Sequence, residues 1–423
     1  MPSNNINIKS VAVIGAGVMG AQLAALFANK GIRSYLYDIT TDTATLGKNR
    51  LKIIKPPALE QPENIELIQA CGLEEDIHKI KKVDWIIEAV PEKIETKIEV
   101  FNKISPFIHK GAILSSNTSG ITLNELIRNL PENLKSRFLI THFFNPPRYM
   151  KLLEIVKNEQ TSLEVYNSLT SFCSSRLNKG IVPAKDNPNF IGNRVGIFSL
   201  MSAIRLSIEK NISIEEVDFL TGPICGRPNS ATFRTADIIG LDTLESVAMT
   251  TFNKSKNDES IDIFKTPKIM RNLIKYGCLG QKSGAGFYKK DKNGKILVFN
   301  AEKNEYQVAQ KFDLKINKNI VSNEIIGDRI NALINLDNKY GDFMWHSISD
   351  MLLYCANRIP EITSEPINID NAMKWGFGWE YGPFEIWDSI GLVPSINRMK
   401  KDGKNLPEWV LNLANSDNKK FYT

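Results

Sequence analysis

The stretch SVAVIGAGVMG, Ser10 to Gly20, decides how the chain begins to fold. Val11 to Ile14 is a short, β-branched, apolar run suited to a buried parallel strand. Gly15, Gly17 and Gly20 then give G-x-G-x-x-G. AQLAALFANK has helical composition and ends at Gly31, a C-cap, and RSYLYD is a second strand closing on Asp38. Gly15 allows the tight turn. Gly17 lets backbone approach a pyrophosphate without a Cβ in the way, and Gly20 lets helix and strand pack closely. The helix N-terminus offers free N–H groups to phosphate. Asp38 lies 18 residues past Gly20 (38 − 20 = 18), at the end of the second strand. A carboxylate there accepts from the adenosine ribose and repels a 2′-phosphate, which argues for NAD over NADP.

Two more runs, VDWIIEAV (83–90) and AILSS (112–116), fit the same α/β sheet, a doubly wound, mostly parallel Rossmann sheet. Ligands of such sheets sit beyond the carboxyl ends of the strands, so Glu88, Lys93 and Ser119 become candidates for the nicotinamide side. Asn-Thr-Ser is equally good helix-capping chemistry, with Ser119 or Thr122 leading LNELIRNL. Further on, THFFNPPRYMKLLEIV (141–156) carries one of only four histidines. His142 falls near the end of a strand, RFLITHFF, and Glu154 falls twelve positions later inside the next, KLLEIV (154 − 142 = 12). Adjacent strands would bring imidazole and carboxylate together. The carboxylate would fix the tautomer and stabilise the imidazolium, leaving the other ring nitrogen free to take a proton. Alcohol oxidation beside NAD needs that chemistry.

At this point the motifs resemble a known family, the L-3-hydroxyacyl-CoA dehydrogenases of fatty-acid β-oxidation. The resemblance rests on SNTSG (116–120), HFFNPP (142–147), MKLLEIV (150–156) and DNPNFIGNR (186–194). It continues through LTGPICGRPNSATFRTADIIGLD (220–242), GQKSGAGFY (280–288) and WGFGWEYGPFEIWDSIGL (375–392), over nearly all of the chain. It is strongest to the dehydrogenase half of bacterial fusions that add an enoyl-CoA hydratase module. The resemblance implies His142 as catalytic base, Glu154 as its partner, and Ser119 and Asn193 completing the site. It implies Asn145 and Lys282 as cofactor contacts. The reaction implied is NAD-dependent oxidation of (3S)-3-hydroxyacyl-CoA to 3-ketoacyl-CoA. Gly120 and Asn189 depart from the family's usual Ser or Thr and Gly, and neither change removes a catalytic group. No hydratase module follows Thr423, which implies either a separate hydratase or a truncated gene; a separate hydratase and a thiolase are the candidate protein partners. The rivals are a catalytically silent NAD-binding subunit or relict of a multifunctional β-oxidation protein, and a different two-domain NAD dehydrogenase of the 6-phosphogluconate or glycerol-3-phosphate type, which would depend on a lysine.

Bulk properties agree. Net charge is +6, from 53 basic and 47 acidic residues with no long basic block, which suits an anionic small molecule better than nucleic acid. The run KNRLKIIK offers Lys48, Arg50, Lys52 and Lys55 for the CoA phosphates; a helix's solvated outer face is the plainer reading. The five cysteines form no CxxC pair and the histidines have no metal-ligand spacing, so no metal is expected. MPSNNINIKS is not a signal peptide, and the uncharged run Val11 to Ala28 divides into strand and helix instead of spanning a membrane. A cytoplasmic location is expected.

After Asp186 the pattern becomes helical. Phe190–Lys210 is amphipathic, with Asn193 in its first turn, a place where a polar cap is also common. Asp218, Gly222, Phe233, Asp237, Gly240 and Leu241 recur as Asp370, Gly376, Phe384, Asp388, Gly391 and Leu392. The repeated spacing predicts two tandem all-α helical domains forming an internal pseudo-dimer. The expected boundaries are 1–185, 186–290, a Lys/Asn-rich linker at 291–323, and 324–423. An Asn-Gly turn in KKDKNGKILVFN predicts a small hairpin.

Overall fold

The computed structural model describes residues 6–128, 130–301, 303–310 and 323–422. The chain divides into two compact units, Met1–Phe190 and Ile191–Thr423.

The first unit is built on eight strands: β1 (Ser10–Ile14), β2 (Arg33–Asp38), β3 (Ile68–Gly72), β4 (Trp85–Glu88), β5 (Ile113–Ser116), β6 (Phe138–Phe143), β7 (Leu152–Val156) and β8 (Gly180–Ala184). Their order is β3-β2-β1-β4-β5-β6-β7-β8. β1 to β6 pair in parallel; β7 runs antiparallel to β6, and β8 runs parallel to β7. β4, β5, β6 and β7 are buried at every position, the pattern of strands covered on both faces. Trp85 anchors one face, edge-on to Phe27 at 5.3 Å and to Phe172 at 6.2 Å. Its indole N–H donates to Ser115 Oγ at 2.9 Å, and Ser115 meets Thr141 Oγ1 at 2.9 Å, so the polar atoms buried on three neighbouring strands are satisfied. The strand order reverses between β1 and β4, which places the Gly15 turn and the end of β4 side by side at the switch point of the sheet.

The second unit centres on the helix Gly192–Glu209, buried along nearly its whole length. It packs against Lys339–Asn357 and Pro366–Phe377. Gly196 permits the second contact, since a Cβ there would lie 2.1 Å from Phe377 Cζ. Phe198 stacks on Tyr354 with ring centroids 3.8 Å apart. Arg194, 0% exposed, reaches Tyr354, Ser255, Asp258 and Glu361 at 2.6–3.2 Å.

The sequence repeat has matching hydrogen bonds. Asp218 accepts from the backbone N–H of Thr232, Phe233 and Arg234 and from the Tyr288 hydroxyl. Asp370 accepts from Phe384 and Glu385 N–H and from the Tyr422 hydroxyl. Asp237 accepts from Phe287 and Tyr288 N–H, as Asp388 does from Phe421 and Tyr422 N–H. The pair Phe421–Tyr422 is thus the counterpart of Phe287–Tyr288, a match the sequence comparison missed.

Two expectations change. The second unit is not all-α: β9 (Tyr288–Lys290), β10 (Ile296–Asn300) and β11 (Glu305–Val308) form an antiparallel sheet in the order β11-β10-β9. The stretch expected as linker therefore holds β10 and β11, the first of them in the expected hairpin with β9. Residues 302 and 311–322 of it lie outside the described residues, as do the first five residues of the chain. Val298 and Phe299 are buried, so this sheet has a core-facing side.

Candidate active site

The cofactor end is set by backbone. Gly15 takes φ +107°, and a Cβ there would strike the Ala89 carbonyl at 2.6 Å; at Gly20 one would lie 1.8 Å from the Gly15 carbonyl oxygen. At Gly17 a Cβ would meet nothing within 4 Å, so the space above it is open. The helix Val18–Ala28 starts there with no side-chain cap and no acidic residue in its first turn. Its first turn thus offers N–H groups and a positive dipole end, as an anion site requires. Asp38 accepts from Ala16 N–H and from Ile39 N–H, both at 2.8 Å, and stays half-exposed with lone pairs to spare. These features fit a dinucleotide's pyrophosphate and ribose.

The reactive end lies on β6 and β7. His142 and Glu154 are direct partners in the antiparallel register. His142 Nδ1 lies 2.7 Å from Glu154 Oε2, and His142 Nε2 lies 3.1 Å from Ser119 Oγ. Glu154 is 0% and His142 4% exposed. Phe144 and Phe190 flank the imidazole at 4.6 and 5.5 Å between ring centroids. Since Nδ1 faces a carboxylate, it carries the proton in the neutral ring, and Nε2 is then the basic nitrogen.

Ser119 is held by a residue the sequence reading passed over. Glu92 Oε1 accepts from Thr118 Oγ1, Ser119 N–H and Gly120 N–H at 2.5–2.9 Å. Lys97 lies 3.2 Å from its other oxygen. Burial pushes the Glu92 carboxyl up; Lys97 and the hydrogen bonds outweigh that and hold it below the usual carboxylate range. Glu88, expected to face the ligand, is instead 0% exposed. It binds Lys97 at 2.8 Å, the Ser116 hydroxyl at 2.5 Å and Val90 N–H at 2.7 Å. Its role here is structural, because both of its oxygens are engaged inside the protein. Lys93 is exposed at the start of the helix Ile94–Ile104.

Asn145 accepts from the amide of buried Gln22 at 2.9 Å, which ties the segment after His142 to the first helix of the sheet. Lys179, also buried, donates to the carbonyls of Pro147 and Met150 and so clamps the connection between β6 and β7. Asn193 and Lys282 belong to the second unit: Asn193 is half-buried in the first turn of Gly192–Glu209, and Lys282 pairs with Asp242 at 2.5 Å. Among the described residues no cluster of His, Cys, Asp or Glu could hold a metal.

This arrangement, an open phosphate cradle on a doubly wound sheet with a carboxylate-backed histidine beside a serine, defines a nucleotide-dependent dehydrogenase site. Comparison with known proteins specifies the family. Residues 10–187 match the family domain described as 3-hydroxyacyl-CoA dehydrogenase, NAD binding domain, and residues 190–290 match the 3-hydroxyacyl-CoA dehydrogenase C-terminal domain. A Bacillus subtilis protein bearing the name "Probable 3-hydroxyacyl-CoA dehydrogenase" is 38% identical over 98% of this chain and 55% of its own length. A Deinococcus radiodurans protein of the same name is 40% identical over 69% of this chain and 85% of its own. The crystal structure of 3-hydroxybutyryl-CoA dehydrogenase from Escherichia coli shares the fold, with a TM-score of 0.72 and 20% identity over 96% of this chain and 98% of that one. The chain belongs to the 3-hydroxyacyl-CoA dehydrogenase family. It spans about half the length of the Bacillus relative.

The Lys179 clamp has a pH signature. Burial lowers its ammonium to about 8, against 10.5 for an ordinary lysine. Above that value the native state has released a proton that the unfolded chain still holds, so stability supplied through this group rises with pH. In urea unfolding, wild type should gain on Lys179→Met as pH rises from about 8 towards 10. A stability difference that stays flat would rule out the buried clamp.

Proposed function

We propose that the chain oxidises (3S)-3-hydroxyacyl-CoA thioesters to 3-ketoacyl-CoA with NAD, as a step of fatty-acid β-oxidation. The observation that carries this reading is the line Glu154–His142–Ser119. His142 Nε2 takes the proton of the 3-hydroxyl. Glu154, opposite Nδ1, holds the ring and stabilises the imidazolium. The Ser119 hydroxyl, now 3.1 Å from Nε2, gives up that nitrogen to the substrate and turns to donate to the substrate oxygen as it becomes a carbonyl. NAD, held by the Gly15–Gly20 cradle and Asp38, would supply the hydride acceptor for C3. Phe144 and Phe190 keep water from the imidazole. Asn193 is assigned to the substrate and Lys93, Asn145 and Lys282 to the cofactor on the family resemblance.

Lys48 is half-buried, Arg50, Lys52 and Lys55 are exposed, and among the described residues none of the four is in an ion pair. They are assigned to the CoA phosphates. An enoyl-CoA hydratase activity would supply the substrate and a thiolase would consume the product. No described helix is long and apolar enough to cross a membrane, and a cytoplasmic location is proposed. The domains are taken as 1–185, 186–290 and 324–423, the last two forming an internal pseudo-dimer; the duplicated Asp218/Asp237 and Asp370/Asp388 hydrogen-bond sets support it.

Three measurements test this reading. NADH formation from a (3S)-3-hydroxyacyl-CoA should fall about 10²- to 10⁴-fold in kcat in His142→Gln, with NAD affinity unchanged. Wild type that binds NAD yet turns nothing over would favour the silent-subunit reading. Charge reversal at Lys48, Arg50, Lys52 and Lys55 should raise KM for the thioester and leave kcat alone; an unchanged KM removes the CoA assignment. Gel filtration should show no obligate dimer joined through the helical domains, and finding one would contradict the internal pairing.

A further inference from the structure

The second unit buries three arginines, and two of them are answered by carboxylates. Arg194 pairs with Asp258 and Glu361, and Arg358 pairs with Asp258, Glu259 and Glu361. Arg227 differs. It is 9% exposed, and among the described residues no carboxylate pairs with it. Its guanidinium lies over the Trp379 ring at 4.1 Å, and one terminal nitrogen lies 3.7 Å from the Met351 sulfur. Its Nε–H is buried with no partner. The ionisable group beside it is Cys225, whose thiol burial pushes up to about 11 and which therefore carries no charge to offer. A buried cation without a counter-charge is strongly unfavourable, and a ring face and a thioether compensate little of it.

Arg227 also lines a cavity of about 10 Å³, together with Thr221, Cys225, Met344, Ser347 and Ile348. That volume is at the lower limit for one water, so a halide, slightly larger, would need the lining side chains to give a little, and phosphate, sulfate or a carboxylic acid is excluded. Thr221 already donates its hydroxyl hydrogen to Val217, so the donors available to an occupant are Arg227 and the Ser347 hydroxyl. The remaining walls are apolar and sulfur-bearing. We propose that a monovalent halide, chloride under ordinary conditions, occupies this cavity and neutralises Arg227. Thr221, Cys225 and Arg227 come from the first copy of the sequence repeat, and Met344, Ser347 and Ile348 from the segment of the second. The ion would join the two halves of the second unit as the carboxylates of Arg194 and Arg358 do elsewhere.

The test uses the full chain. Replacing gluconate by chloride at constant ionic strength should raise the Tm of wild type by roughly 2–4 °C, as binding to the native state alone predicts. Arg227→Leu should lose the chloride effect, and Ser347→Ala, which keeps the charge, should weaken it. Crystals grown in bromide should show an anomalous peak in contact with Arg227. An ordered water at that position without anomalous signal, or a Tm equal in chloride and gluconate, would overturn the proposal. The wild-type crystal decides even if the Arg227 variant fails to fold.

Discussion

The pairing register of β6 and β7 is the constraint on which the site depends. In a mostly parallel sheet, two side chains face each other directly where one strand reverses, and β7 is the strand that reverses. A slip of one residue would turn either His142 or Glu154 to the opposite face and separate them. The register is fixed outside the strands as well as within them. Lys179 clamps the carbonyls of Pro147 and Met150, while Arg148 and Tyr149 bind the carbonyls of Pro57 and Leu59. The turn between β6 and β7 is thereby tied both to the start of β8 and to the loop after the basic run.

Ser119 reaches the same imidazole by another route. Its backbone hangs on Glu92, Glu92 is drawn in by Lys97, and Lys97 is anchored on buried Glu88. Removing one member of a buried pair of this kind typically costs about 3–5 kcal/mol. Glu88 and Lys97 therefore set the position of a hydroxyl they do not touch.

The parts of this site that could be read from the sequence are those encoded in local strings. G-x-G-x-x-G with a strand before it and Asp38 after it specifies a cradle within thirty residues, and His142 and Glu154 each sit in an apolar strand that makes a polar side chain conspicuous. Glu92, Lys97, Gln22 and Lys179 were missed because each matters through a partner distant in sequence or on another element, and a lysine in a helix such as IETKIEV reads as surface. Lys97 is 1% exposed. Glu88 was misassigned for a related reason: a position at the end of a strand predicts nearness to ligand but not which way the carboxylate turns. The Asn-Gly turn of KKDKNGKILVFN announces the antiparallel pairing of β9 with β10, whereas β11 was hidden by Lys- and Asn-rich flanks, although EYQV has strand composition. Phe421–Tyr422 lacks the glycines that marked Phe287–Tyr288, so the second copy of that motif was visible only in its hydrogen bonds.

The buried and half-buried charges of this protein are answered in three different ways, and the choice follows from what each must do. Asp218, Asp237, Asp370 and Asp388 accept backbone N–H groups, which ties a carboxylate to the ends of helices and extended segments and so fixes chain direction. Lys179 donates to carbonyls and pins a turn. Arg194 and Arg358 share Asp258 and Glu361, bringing planar donors from two helices onto common acceptors. Each solution consumes polar groups of the chain itself, and each locks a junction that apolar packing alone would leave free to slide. Arg227 occupies a junction of the same kind between the two copies of the repeat, yet among the described residues no carboxylate pairs with it. Of the buried arginines it is the one left so among the described residues, and the cavity beside it is where a matching anion from solution would sit.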